Sequence, residues 1–433
     1  MKKKIISIVT AGVLAGTMLV GCGGSNEAAT TSASSKKAEV KEEVKDASVE
    51  KIVEEVDSTG LYTLTADDIK EISKDLGSAV YKDQTMDEGI EGVSAEAVSL
   101  TDEEIQKIKD MNLEIGVEFG ANGDTYKWMN AGIDEACEAL GITVKDTWYS
   151  TDQANLTQLE DYMKILSVAN NYDAFVTLPM DAASQSEVLL QIQDIIPVEY
   201  MSTAPFNADW NAENFCGVTD VDAYKAGQMT AKAAVKILGE TGGKIGTVGY
   251  INGHEGSLLT CKLRYDGWDD VLGENGIEPV EVWYDNPEEA KPVIQSMLSA
   301  NPDINVLLVD WSGYAGNQAL QVIKEMGLTG RDIKIVCIDL DDTTAIPMGE
   351  DADSPSAALV AQPWYAVGRD CIYQMAYHFL YPDKTPKFIA STPEPVATHY
   401  NIKNVYKNSV PASYDIPETI TNLDDQWDEA EYK

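Results

Sequence analysis

From Leu113 onward, short apolar runs alternate with stretches whose apolar residues recur every three to four positions. The runs at 113–119, 142–148, 174–178 and 197–201 predict strands, and the periodic stretches at 126–140, 156–170 and 186–194 predict the helices between them. Gly141, directly after the first of these helices, suits a C-cap. The alternation resumes after Asp220 with helices over 224–238, 258–275, 288–300 and 316–326 and strands over 244–250, 280–284, 306–309 and 333–338. Such alternation indicates parallel βαβ units, and two sets of them indicate two parallel sheets. In open parallel sheets ligands sit beyond the carboxyl ends of the strands, so the loops there are the ones to inspect.

The chain before residue 113 follows other patterns. Leu64-Thr65-Ala66-Asp67-Asp68-Ile69 and Leu100-Thr101-Asp102-Glu103-Glu104-Ile105 each place a threonine before an acidic first turn, with an acid three residues on and an apolar pair flanking the cap. Both predict a capped helix start, so 58–112 is expected to be an accessory helical region. Residues 22–57 are rich in Ser, Ala, Lys and Glu and predict a flexible tether. Lys2, Lys3 and Lys4 precede an apolar stretch from Ile5 to Val20, followed by Gly21 and Cys22. That order predicts an export signal over 1–21. Leu19-Val20-Gly21-Cys22 resembles a lipobox, which implies lipid attachment at Cys22 and a location on the outer face of the cytoplasmic membrane. Residues 411–433 are left as a C-terminal tail.

Composition narrows the function. The formal charge is −40, from 72 acidic and 32 basic residues. A field of that sign repels nucleic acid and anionic lipid headgroups. Cys137, Cys216, Cys261, Cys337 and Cys371 are widely spaced, and the only histidines are His254, His378 and His399. Neither set has the clustering of a metal site, so no metal and no cofactor are expected. Buried thiols are the simpler reading of the cysteines, with one disulfide left open. The chain carries no G-x-S-x-G elbow, H-E-x-x-H or P-loop. His254-Glu255 stands alone, so an enzyme is not expected.

Several stretches carry a family resemblance when taken in order. They are Tyr172-Asp173-Ala174-Phe175-Val176-Thr177-Leu178-Pro179-Met180-Asp181, Ile196-Pro197-Val198, Val218-Thr219-Asp220 with Gly227, Arg264-Tyr265-Asp266-Gly267-Trp268, Val336-Cys337-Ile338-Asp339 and Ala361-Gln362-Pro363. Over roughly 113–405 the chain resembles the type I periplasmic binding proteins, the group of the ribose- and galactose-binding proteins. The resemblance implies an α/β fold of two Rossmann-like lobes joined by three crossover strands. One lobe would hold 113–219 and 363–392, the other 220–362 and 393–410. It also implies capture of a small polar ligand, a sugar or sugar-like molecule, by hinge closure for an ABC permease. A receptor for a membrane sensor kinase and a binder of a non-sugar molecule are alternatives that the sequence leaves open.

The family motif implies a ligand-binding role for Arg264, whose planar fork suits two adjacent oxygens. A surface ion pair is the other reading. Asp339, at the end of an apolar strand, suits hydroxyl donors or a helix N-cap. Gln362 offers a donor and an acceptor at a crossover, to a ligand or to the hinge. Asn122 lies in the loop Gly120-Ala121-Asn122-Gly123, where it either binds ligand or forms the turn. Trp311, Tyr126 and Trp364 are candidates for stacking against a sugar face, and Trp128 is expected in the core. The pattern also departs from ribose- and galactose-type sites. Ser202 and Thr203 stand where those carry a charged or amide pair, Trp311-Ser312 replaces Asn-Asp, and Leu178 replaces an Asn. A deoxy sugar, a less polar polyol, a substituted glycoside or a non-sugar fits such a site better than ribose or galactose.

Overall fold

Two all-parallel sheets organise the chain. The computed structural model describes residues 60–74, 79–121, 123–150 and 155–421. The expected export signal, the tether, Cys22 and Asn122 lie outside the described residues.

The chain opens with helix α1 (Ala66–Ile72), the antiparallel pair β1 (Val80–Tyr81) and β2 (Ile90–Glu91), and helix α2 (Asp102–Met111). Both capping boxes form. Thr65 and Thr101 accept from the amides of Asp68 and Glu104, whose carboxylates accept from the threonine amides in return. Besides the helices expected over 58–112, this region holds the β1–β2 pair, which is too short to carry a periodic signal.

The first lobe follows as β3 (Glu114–Phe119), α3 (Asp124–Leu140), β4 (Thr143–Tyr149), α4 (Asn155–Val168), β5 (Ala174–Leu178), α5 (Ala182–Gln193), β6 (Val198–Met201) and β7 (Phe215–Val221). The chain then builds the second lobe. Its elements are α6 (Ala223–Leu238), β8 (Lys244–Tyr250), α7 (Ile251–His254), α8 (Leu259–Glu274), β9 (Val280–Tyr284), α9 (Pro287–Ala300), β10 (Ile304–Val309), α10 (Asn317–Glu325), β11 (Lys334–Ile338), α11 (Asp342–Glu350) and β12 (Ser356–Val360). It returns to the first lobe with α12 (Trp364–Leu380) and β13 (Phe388–Ser391). Helices α13 (Ile402–Ser409) and α14 (Glu418–Thr421) close on α11 of the second lobe.

The sheets have the orders β13-β7-β6-β5-β3-β4 and β12-β11-β10-β8-β9. Each therefore reverses direction after its first strand, and each has its crevice between the first strand and the third, β3/β5 and β8/β10. The central strands are buried on both faces, as Ala174–Leu178 and Lys334–Ile338 show along their whole length. This is why these two read as nearly continuous apolar runs, broken only by Thr177 and Lys334, rather than alternating ones. Helices α11 and α12 and strands β12 and β13 escape the periodicity reading. Pro347 interrupts the helical pattern of α11, and the others adjoin crossovers that carry short or mixed runs.

In each lobe one helix pair packs through reciprocal glycines. A Cβ on Gly132 of α3 would meet the carbonyl of Tyr365 at 2.0 Å, and one on Gly368 of α12 would meet the carbonyl of Met129 at 2.0 Å. Gly227 of α6 and Gly267 of α8 stand in the same relation to Arg264 and Tyr224, at 2.2 and 2.5 Å. These contacts fix the starts of α3, α8 and α12, which carry much of the interlobe site. Cys137, Cys216, Cys261, Cys337 and Cys371 are all buried free thiols.

Candidate ligand-binding site

The strands β5 and β6 of one sheet and β10 and β11 of the other end facing one another, and a small cavity of about 30 Å³ lies between their loops. From the first lobe it is lined by Thr125, Tyr126, Met129, Leu178, Met180 and Ser202. Leu258, Thr260, Cys261, Arg264 and Trp311 of the second lobe complete it, with Trp364 after the crossover. A space of this size holds only one or two water molecules, so the lobes stand closed. The closed state is held by direct bonds. The Ala182 amide donates to the Ser257 carbonyl at 3.0 Å, and the Leu259 amide donates to the Thr203 hydroxyl at 3.2 Å. Thr260 Oγ1 donates to Asp220 Oδ2 at 2.7 Å.

Arg264 is the centre of the polar half. Only 2 % exposed, it donates through Nη1 to the Asp310 carbonyl at 2.7 Å and through Nη2 to Asp339 Oδ2 at 3.0 Å. Nη2 also donates to Gln362 Oε1. Trp364 Nε1 donates to the other oxygen of Asp339 at 2.7 Å. The four residues thus form one buried group, although they come from α8, the end of β11, a crossover and the start of α12. Burial raises the Asp339 carboxyl above the ordinary range, against the pull of the guanidinium and the indole N–H. Two buried donors in this group, Arg264 Nε and Gln362 Nε2, have no partner among the described residues.

The expected residues sort as follows. Arg264, Tyr126, Trp311, Trp364 and Ser202 line the cavity. Asp339 and Gln362 stand behind Arg264 as its acceptors. Arg264 is in an ion pair, but a buried one rather than the surface pair considered from sequence. The N-cap of α11 is Asp341, so Asp339 does not cap that helix. Thr203 turns its hydroxyl to the Leu259 amide. Trp128 is buried and meets Tyr414 edge-on at 5.6 Å. Ser202 and Asp339 both hold left-handed backbone, with φ of 63° and 74°. Non-glycine residues are uncommon there, and such strain gathers at functional loops.

Sequence reasoning missed most of the apolar lining and its support. Leu178 stood out as a departure at a strand exit, but Met180 and Met129 read as core residues, and nothing in their type marks them otherwise. Gln158 of α4 is wholly buried and holds the loop that carries Leu178 and Met180. Its Nε2 donates to the Leu178 carbonyl at 2.7 Å and to Glu118 Oε2 at 2.9 Å, and its Oε1 accepts from the Met180 amide at 3.0 Å. Burial pushes the Glu118 carboxyl up to about 8, against the donors Gln158 and Thr177. Asp220, reached by Ser202 Oγ at 3.0 Å and by Thr260, is likewise pushed up by burial to about 7. Asp310 is pushed up by burial to about 6, although Tyr265 and Tyr284 donate to it at 2.6 and 3.0 Å. Among the described residues no group of three or more His, Cys, Asp or Glu is placed to hold a metal ion.

The arrangement sets aromatic faces, hydroxyls and one charge-compensated guanidinium between the two lobes. No curated protein matches the chain in sequence. Solved structures share its fold. One is a carbohydrate transporter solute binding protein from Agrobacterium radiobacter in complex with D-arabinose, 17% identical with a TM-score of 0.59. That match covers 69% of this chain and 99% of that one. A solute binding protein from Agrobacterium vitis bound with alpha-D-tagatopyranose is 18% identical with a TM-score of 0.59, over 69% of this chain and 99% of that one. A sugar transporter from Clostridium phytofermentans is 21% identical with a TM-score of 0.53, over 66% and 98%. The family described as the periplasmic binding protein domain matches residues 115–380, which is more than half of the chain and includes nearly all of the interlobe site. The chain therefore belongs to the periplasmic binding protein family, with the type I fold.

Proposed function

We propose that this chain is an extracytoplasmic solute-binding protein that captures a small, neutral, hydroxyl-bearing ligand of the sugar class between its lobes and presents it to an ABC permease. The observation that carries this reading is the buried Arg264–Asp339–Gln362 group set among Tyr126, Trp311 and Trp364. A guanidinium whose charge is already matched by Asp339 remains a hydrogen-bond donor but has no charge left for a carboxylate or phosphate. The rings supply flat apolar faces for the C–H side of a pyranose. Sugars bound in the Agrobacterium relatives support the same ligand class.

Binding without turnover is the expected role, in line with the solute binding proteins that share the fold. Arg264, Tyr126, Trp311, Trp364 and Ser202 are assigned to ligand contact. Asp339 and Gln362 orient Arg264 and open to the ligand when the lobes part, and Thr203 serves closure. Asn122, outside the described residues, is kept as a ligand-contact candidate from its place in the sequence. Lipid attachment at Cys22 would hold the protein at the membrane beside the permease. Labelling with a radioactive fatty acid should mark the chain and fail on a Cys22→Ser variant.

The functional test is a thermal-shift screen of the purified chain against neutral monosaccharides, sugar acids, amino acids and nucleosides. The reading predicts saturable stabilisation by neutral sugars. Stabilisation by a charged class alone, with none by any neutral sugar, overturns it.

A further inference from the structure

The two sides of the cavity differ in chemistry. On the second-lobe side sit the Thr260 hydroxyl and Arg264, whose Nε is buried without a partner among the described residues. On the first-lobe side, Met129, Leu178 and Met180, each at most 4 % exposed, give an apolar lining beside Thr125, Tyr126 and Ser202.

This wall is held in place rather than loosely filled. Met180 lies over Gly120, where a Cβ would meet its Cγ at 2.0 Å, so only glycine lets the thioether lie against the end of β3. The Tyr126 hydroxyl donates to Met180 Sδ at 3.8 Å. The Met180 amide and the Leu178 carbonyl are both bound by Gln158, which Gln185 Nε2 also reaches at 2.8 Å. The loop between β5 and α5 thus presents carbon and sulfur to the ligand and turns its polar atoms away into α4.

Resting on the sugar-binding reading, we propose that the ligand is a neutral sugar bearing a methyl group, as a deoxy position or an O-methyl substituent, that packs against Met129, Leu178 and Met180, with Met180 as the specificity-determining residue. A hydroxyl or hydroxymethyl directed at these three side chains gives up its water against carbon and a thioether, because Gln158 and the loop amides behind them are already engaged. A methyl there gains burial instead. Apolar pockets discriminate against an added hydroxyl by no more than about 100-fold, so the expected preference is about 10- to 100-fold.

The test is calorimetric titration of the full chain with matched pairs: L-rhamnose against L-mannose, L-fucose against L-galactose, and methyl β-D-galactopyranoside against D-galactose. The expected result is tighter binding of the methyl-bearing member in at least one pair; the first two pairs report a deoxy position and the third an O-methyl group. Met180→Gln, which keeps the length of the side chain, should bring that pair to nearly equal affinity. If sugars bind but the fully hydroxylated members bind as tightly or more tightly, the methyl proposal is overturned and the sugar reading stands. If no sugar binds at all, both fall. If Met180→Gln keeps the full preference, Met180 is not the determinant. Should that variant fail to fold, the wild-type pairs still decide.

Discussion

Gly227 of α6 lies so close to the backbone carbonyl of Arg264 that a Cβ added to it would sit 2.2 Å from the oxygen. The helix pair α6/α8 is therefore the support on which the guanidinium is aimed. Gly227→Ala must push α8 away, and α8 also carries Thr260 and Cys261 of the cavity. A loss of about 1–3 kcal/mol in stability is expected from overpacking, together with weakened ligand binding. Urea denaturation checks the first effect and a sugar titration the second. Unchanged stability would mean that α8 has another way to accommodate the methyl group.

Arg264 is bound to three acceptors, and one of them is a buried carboxylate. Arg264→Met leaves Asp339 without its counter-charge and should cost about 3–5 kcal/mol. Arg264→Lys keeps the charge but loses the fork, so it should destabilise less while still impairing binding. Equal stability losses in the two variants would show that the fork, not the ion pair, holds the site.

Asp220 gives a pH dependence whose sign can be worked out. Its carboxyl stands at about 7 in the folded chain against an ordinary 3.8, because it is buried. Between these values the folded state holds a proton that the unfolded state has released, so stability falls as pH rises and levels off above 7. The full effect is at most about 4 kcal/mol. Thermal unfolding of wild type and Asp220→Asn from pH 4 to pH 8 should show the wild type losing ground steadily to the variant. Parallel curves would contradict the assignment.

The segment before β3 is docked on both lobes. The Tyr62 amide donates to the Ile237 carbonyl at 2.8 Å and Asp68 pairs with Lys236, both on α6 of the second lobe. Val93 pairs in parallel with Ile389 at the edge of the first lobe's sheet. Between them Tyr81 is fully buried, and its hydroxyl accepts from the Ala204 amide at 2.8 Å, next to Ser202 and Thr203. Tyr81→Phe strands that amide and should cost about 1–3 kcal/mol. Hydrogen exchange at the Ala204 amide should rise in the variant; unchanged protection there would mean that the loop does not depend on this bond.

The sequence made some of this plain and hid the rest, for physical reasons. Buried parallel strands such as 174–178 and 334–338 are nearly continuous apolar runs, and αL glycines such as Gly141 mark helix ends, so the alternation was readable. Arg264 was readable through the family motif, and Asp339 and Gln362 as a carboxylate at a strand end and an amide at a crossover. That the three would bond to one another across 98 residues was not, because register and closure arise only in three dimensions. Leu178 was visible only as a departure from the family pattern, and Met129 and Met180 were invisible as site residues, since a methionine lining a cavity has the same local pattern as one filling a core. Gln158 gave only the signal of a polar residue in an amphipathic helix. The β1–β2 pair, with two residues per strand, is held by its neighbours rather than by its own pattern.

Trp311 and Trp364 line the cavity itself, so their fluorescence reports directly on whether a neutral sugar enters between the lobes. Titration of the full chain with the neutral sugar that stabilises it most should give a saturable change in emission, reduced in Trp311→Phe and in Trp364→Phe. An emission change unaffected by either substitution, or no change with any neutral sugar, would contradict capture at this site.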